Sequence, residues 1–255
     1  MVKQISTFIF IALFSSFIFS SCSKEENDNS IENNSSVSVN VDEAGLLSQA
    51  LQHYTSNQIK KLTISGYINA RDFRFIKSNC VSLEEINLSD VIISSYKGNS
   101  GTNEGYDYYY ASNEIPLGAF FHWVPVDEGM PSLKKVVLPE NIVAIRRNAF
   151  ARAYNLTEIN IPEGIKSIDF VAFALCKSLQ NIILPSTLGE IGAQAFRDCE
   201  KLEYVRIKSI YPPKLEDDAF EGISNNAKLI VPKGSSDAYK KSSWNKYFNI
   251  SESDN

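Results

Sequence analysis

Cysteine, histidine and tyrosine are the residue types in this 255-residue chain whose spacing could do chemistry. Cys176 and Cys199 stand 23 positions apart inside nearly the same phrase, AFALCKSL at 172–179 and AFRDCEKL at 195–202. Two such thiols could form a disulfide, hold half of a metal site, or pack as small hydrophobes. The two histidines, His53 and His122, are accompanied by no nucleophile-elbow or phosphate-loop motif. Paired carboxylates such as Glu84-Glu85 and Asp217-Asp218 are adjacent, so strand alternation sends them to opposite faces. The expectation is therefore a protein that is not an enzyme, with no cofactor and no metal.

The elements that must carry these residues follow a repeat. Residues 133–155, 156–178 and 179–201 align without gaps at a period of 23. Counting each leading Leu as position zero, aliphatics recur at +3, +5, +9 and +12, Pro at +6 (Pro139, Pro162, Pro185) and Ala-Phe at +16/+17 (Ala149-Phe150, Ala172-Phe173, Ala195-Phe196). The same frame gives unit starts at Ile59, Leu83, Leu133, Leu156, Leu179, Leu202 and Asn226. Each LxxVxL stretch reads as a short strand, ended by a Pro that has no N–H for a neighbouring ladder. The following IxxxAFxxC stretch has apolar residues at helical spacing over one or two turns. Stacked units imply an α/β solenoid of about seven units, with a parallel β-sheet on one face, short helical turns on the other and helical caps at both ends. Cys80, Cys176 and Cys199 each precede a unit start by three residues, in a column that elsewhere holds Met130, Ala153 and Ile223. That column favours free core thiols, since its side chains run parallel and do not converge on a metal. A Cys176–Cys199 disulfide stays open, because neighbouring strands are only ~4.8 Å apart.

The phrase LxxVxLPxxVxxIxxxAFxxCxxL resembles the BspA-like leucine-rich repeats of bacterial surface proteins, over about residues 59–232 and most closely over 133–201. The resemblance implies a leucine-rich-repeat solenoid on a cell-surface lipoprotein or secreted protein, with adhesion to host proteins or other bacteria as its role.

The chain ends set its expected setting. Lys3, the apolar run at 8–21 and then Cys22 read as an export signal over residues 1–21, too short for a spanning helix. Small Ser20 and Ser21 before Cys22 look like a lipoprotein signal, making Cys22 the lipidation site and the lipid the chain's single membrane attachment. Residues 22–36 are polar and read as a disordered tether. Lys24-Glu25-Glu26 resembles the acidic signal that sends some outer-membrane lipoproteins to the cell exterior. Residues 37–58 read as the N-terminal cap, with Asp42 as its helix N-cap and Leu46, Leu47, Ala50, Leu51 and Tyr54 on one face. Residues 59–234 form the solenoid and 235–255 the C-terminal cap and tail. The net charge of −5, with no basic block, argues against nucleic acid as a partner. A monomer is expected.

The candidate ligand site lies in an insertion near 89–131 within the unit that starts at Leu83. Insertions in repeat arrays map to loops, often on the binding face. The segment SYKGNSGTNEGYDYYYASNE at 95–114 carries Tyr106, Tyr108, Tyr109 and Tyr110, and Phe121, His122 and Trp123 follow. Tyrosines among small residues match adaptable binding loops, and aromatic faces suit sugar rings; equally, these rings could patch the interrupted sheet edge. A second candidate surface is the exposed sheet face with Lys135, Glu158, Asn160, Asn181, Tyr204 and Arg206, which would also look this way as a merely solvated face. The leading partner is a host or bacterial surface protein. A glycan captured for nutrient uptake is the alternative, and a purely structural envelope role is a third.

Overall fold

The structure is a computed structural model that describes residues 35–122 and 128–253. Each of the seven expected units contributes one strand to a front ladder: Lys61–Ile68, Glu85–Ile93, Lys135–Val137, Glu158–Ile159, Asn181–Leu184, Tyr204–Ile207 and Lys228–Pro232. Pairing is parallel, with unit positions in register, as in Lys61↔Glu85↔Lys135↔Glu158 and Asn181↔Tyr204↔Lys228. Alternation buries Ile182 and Leu184 and leaves Asn181 and Ile183 outside. The ladder divides once, between Ile159 and Asn181, into sheets of five and four strands.

A second parallel ladder of two-residue strands runs behind the first, through Glu114–Ile115, Ala144–Ile145, Ser167–Ile168, Glu190–Ile191 and Lys214–Leu215. The fold is thus the expected leucine-rich-repeat solenoid. Its turns, however, do not lengthen into helices beyond the first unit. Left-handed residues recur in two columns, Asn148, Val171, Gln194 and Asp218, then Arg152, Leu175 and Asp198. A left-handed residue on either side of each Ala-Phe pair breaks the run of helical dihedrals that the apolar spacing suggested. The freed groups bond across units instead. Phe150 N–H donates to Ala172 O, Phe173 N–H to Ala195 O and Phe196 N–H to Ala219 O, at 2.7–2.8 Å.

These turns stack the Phe column. Phe120, Phe150, Phe173, Phe196 and Phe220 form a continuous pile with centroids 4.9–5.1 Å apart and nearly parallel planes. The 23-residue period returns each ring to the same azimuth, so one buried aromatic supports the next, a geometry that contributes beyond its area. Phe73 closes the pile edge-on at one end, and Trp244 and Phe248 close it at the other.

Each cap adds a strand as well as short helices. Ser36–Val41 pairs with Lys61–Gly66, and Asn249–Ser253 pairs with Lys228–Pro232, covering both edges of the front ladder. The N-terminal cap helix is only Leu47–Ala50, and Leu46, not Asp42, occupies its N-cap position. Asp42 instead accepts from Asn40. The helix's free N–H end is served by buried Asp72, whose carboxylate accepts from Gly45, Leu47 and Asn69 N–H. Asp72 belongs to the ten-residue helix Ala70–Asn79, which starts with an Asn69 capping box. Cys80, Cys176 and Cys199 are free and buried. Cys176 Sγ donates to Phe150 O at 3.3 Å and Cys199 Sγ to Phe173 O at 3.2 Å. The cysteine column therefore packs as sulfur-for-hydrocarbon beneath the Phe pile.

Candidate functional site

The insertion is built on one buried amine. Lys77, on the helix Ala70–Asn79, is fully enclosed, and its Nζ donates to Thr102 O and to Phe121 O at 2.9 Å each. Glu104 lies 3.5 Å away, and His122 Nε2–H donates to the Lys77 carbonyl at 2.8 Å. Burial pushes the ammonium below the usual lysine range, and Glu104 opposes that shift. One side chain thus ties both halves of the insertion to the first unit.

Above this base, Tyr96–Gly98 and Tyr108–Tyr110 form an antiparallel hairpin. Tyr110 is buried between Tyr96 and Tyr108, with centroids 5.9 and 5.0 Å away, and its hydroxyl accepts from Asn103 N–H at 2.8 Å. Gly101 is needed beneath it, since a Cβ there would sit 2.4 Å from the Tyr110 ring. Thr102, also buried, donates to Leu117 O at 2.5 Å. The loop is folded, and its packing leaves Tyr108 44% and Tyr109 62% exposed.

Between hairpin and second ladder lies a cavity of about 640 Å³, lined by Tyr108, Tyr109, Tyr110, Glu114, Arg146, Arg147 and Asp169 among others. Arg146 forms the floor. It grips Glu114 through both Nε, at 2.6 Å, and Nη2, and reaches Asp169 at 3.2 Å through Nη1. These partners, led by Glu114, hold its guanidinium even more firmly protonated than usual. Asp169 also accepts from Ser167 Oγ. Arg147 lies over the Phe170 ring at 5.0 Å.

The sequence candidates thus separate. Tyr108, Tyr109 and Tyr110 line the cavity; Tyr106 is exposed outside it. Tyr110, Phe121 and His122 are spent on packing and on the Lys77 anchor. Trp123 and Cys22 lie outside the described residues. On the front ladder, Lys135 and Glu158 are paired with each other at 2.6 Å. Asn160 is half-buried and substitutes for a strand partner: its Oδ1 accepts from Leu138 N–H at 2.6 Å and its Nδ2 donates to Leu138 O at 3.2 Å. Glu158, Asn160 and Asn181 border a shallow hollow of about 480 Å³ where the ladder divides. Tyr204 is exposed, with the Lys228 ammonium 5.7 Å from its ring centroid, and Arg206 borders a hollow of about 310 Å³. Sequence reasoning missed Glu114, Arg146, Arg147 and Asp169. For two of these the signal was column +13, where Arg146 and Asp169 replace the small residue seen at Gly192.

Among the described residues no group of His, Cys, Asp and Glu could hold a metal ion, and no helix is long and apolar enough to cross a membrane.

Comparison with known proteins agrees with this architecture. Residues 128–252 match the family described as BspA type leucine rich repeat region, in six copies. Over these residues the protein is a member of the BspA-type leucine-rich-repeat family. The units starting at Ile59 and Leu83 fall outside the matched span, although their strands continue the same ladder. Among solved structures, the chain is similar to a leucine rich repeat protein of T. pallidum, with 23% identity and a TM-score of 0.46 over 66% of this chain and 64% of that one. It is also similar to a leucine-rich repeat protein of Bacteroides ovatus, with 15% identity and a TM-score of 0.43 over 79% of this chain and 63% of that one. A third is the pneumococcal vaccine antigen PcpA, with 16% identity and a TM-score of 0.40 over 78% and 72%. The chain thus spans less than two thirds of the first two structures. No curated protein matches it.

Proposed function

We propose that this protein is a surface-displayed binding module that captures a protein on a host or bacterial surface without covalent chemistry, with adhesion as the result. The observation that carries this reading is the cavity between Tyr108, Tyr109 and the Arg146 floor. It is a concave site with exposed aromatics around a fixed polar centre, built by an insertion that the solenoid itself does not need. The family supports a binding role over catalysis, and His122 is committed to the Lys77 carbonyl. In this reading residues 1–21 are the export signal, lipid at Cys22 anchors the chain to the outer membrane, and the tether, which ends before the strand Ser36–Val41 and not at residue 36 as its composition suggests, holds the solenoid away from the cell.

The test is adhesion of cells expressing the full chain to host cells and to other bacteria, with Tyr109→Ala and a deletion of 95–114 in parallel. Adhesion that falls with both variants supports the site. Adhesion that survives both moves the contact to the front ladder at Lys135, Glu158, Tyr204 and Arg206. No adhesion by the unmodified chain favours a structural role in the envelope. Nutrient capture uses the same cavity and differs in outcome, since free oligosaccharide would then be imported.

A further inference from the structure

We infer that the cavity takes a neutral pyranose, the sugar portion of a glycoconjugate carried by the partner. This assignment rests on the binding role proposed above and names the ligand chemistry of that same site.

Charge argues for it first. Two guanidiniums, Arg146 and Arg147, face two carboxylates, Glu114 and Asp169, so the lining is balanced. Arg146 is committed to both acids, and Arg147 lies over Phe170 and donates to Asn148 Oδ1 at 3.3 Å. An acidic ligand would have to break the Arg146 clamp to gain a cation, and a basic one would have to displace Arg146 from Glu114. Bidentate geometry resists this more than burial does, since the Glu114 side chain is only 12% exposed but that of Arg146 is 40% exposed.

The geometry of the polar groups argues next. Each carboxylate has about four acceptor positions, of which Glu114 uses two on Arg146, and Asp169 uses one on Arg146 and one on Ser167. The clamp therefore fixes planar acceptors whose remaining lone pairs seek O–H donors. A sugar hydroxyl both donates and accepts, so it satisfies such groups. An apolar side chain in the same place would cover those remaining lone pairs without satisfying them.

The walls complete the fit. Tyr108 and Tyr109 present aromatic surface to the cavity, and the C–H face of a pyranose is the apolar surface that packs on a ring. A cavity of about 640 Å³ lies within the range of small-ligand sites and has room for a short oligosaccharide.

The test is binding of the full chain to immobilised neutral cello-, manno- and xylo-oligosaccharides and to acidic oligogalacturonate, followed by calorimetry with the free sugar. The expected result is a neutral ligand whose affinity falls at least tenfold in Tyr109→Ala. It should be unchanged in Tyr106→Ala, which lies outside the cavity, and should change less than about twofold on raising salt from 50 to 500 mM, as screening touches only charged ligands. Both tyrosines are exposed, so neither substitution disturbs the core. The inference is overturned by binding of oligogalacturonate alone, by neutral binding indifferent to Tyr109→Ala, or by no neutral binding. If Tyr109→Ala abolishes adhesion while enzymatic deglycosylation of the partner leaves it intact, the adhesion reading stands and the sugar inference fails. If the unmodified chain binds neither cells nor sugars, both fail.

Discussion

The Lys77 ammonium donates to the Phe121 carbonyl across 44 residues of sequence, from the first solenoid unit to the far end of the insertion. Its second donation, to Thr102 O, makes this buried side chain a common anchor for both segments of the insertion. Replacing it with Met keeps the volume and removes the buried charge, but leaves two carbonyls without this donor, at about 1–3 kcal/mol each when unpaired. Lys77→Met should loosen the insertion while the Phe pile keeps the solenoid folded. Chymotrypsin should cleave near Tyr106–Tyr109 at least tenfold faster, with the main unfolding transition retained; unchanged cleavage would show that Lys77 holds nothing in place.

The thiol column predicts an alkaline limit to stability. Burial pushes the Cys80 thiol up to about 11, and burial, followed by the neighbouring Cys199, holds Cys176 well above the ordinary range. In the unfolded chain a thiol ionises near pH 8.5. A folded pKa above the unfolded one means a contribution fully present below about pH 8.5 and lost as pH rises through about 11, amounting to about 3 kcal/mol for a shift of roughly two units. Urea unfolding at pH 8 and pH 10.5 should show this loss. The Cys80→Ala protein, less stable at pH 8, should lose less between the two values; equal slopes would refute the assignment.

Phe173 sits at the middle of the aromatic pile, stacked on Phe150 at 5.1 Å and on Phe196 at 5.0 Å. Phe173→Ala removes a fully buried ring whose site cannot collapse, because rings on both sides are held by their own units. The expected cost is about 3–5 kcal/mol. The partly exposed terminal ring Tyr247 should cost less than half of that when truncated. Denaturant midpoints at constant slope would check the ratio, and equal losses would mean the pile is not cooperative.

Val171 adopts a left-handed conformation, φ 59°, in a column where Asn148 does the same with less strain. A β-branched residue there costs about 1–2 kcal/mol. Val171→Asn should therefore raise stability by about 1 kcal/mol, a rare gain from a hydrophobic-to-polar change. Because the side chain is half-buried, little packing is lost. A fall in the unfolding midpoint would show that its packing outweighs its backbone strain.

Much of this architecture was legible because a solenoid unit touches only its neighbours, so each structural requirement recurs at a fixed interval. The Leu, Ile, Ala-Phe and Cys columns state the stacking directly, and the ladder registers Glu85↔Lys135↔Glu158 and Asn181↔Tyr204↔Lys228 follow the period. The backbone of the turns was less legible. The spacing around Phe150 and Phe173 suits a helix, yet the chain gains more by bonding each turn to the next unit, which needs left-handed residues that Val171 and Leu175 do not advertise. Asn160 does border a hollow on the front ladder, but alternation could not show that its amide also pairs with the Leu138 backbone.

By itself, then, the sequence determined the repeat, its number of units, the core columns and the place of the insertion, because these are near-neighbour properties written once per period. Only the tertiary structure decided that Tyr110 is buried in the wall of a cavity that exposed Tyr109 also lines, that Lys77 is the anchor, and that Arg146 is clamped between Glu114 and Asp169. Lys77 reaches its partners 25 and 44 positions along the chain by hydrogen bonds that occur once each, and the period that sets Arg146 and Asp169 in one column does not show that they pair.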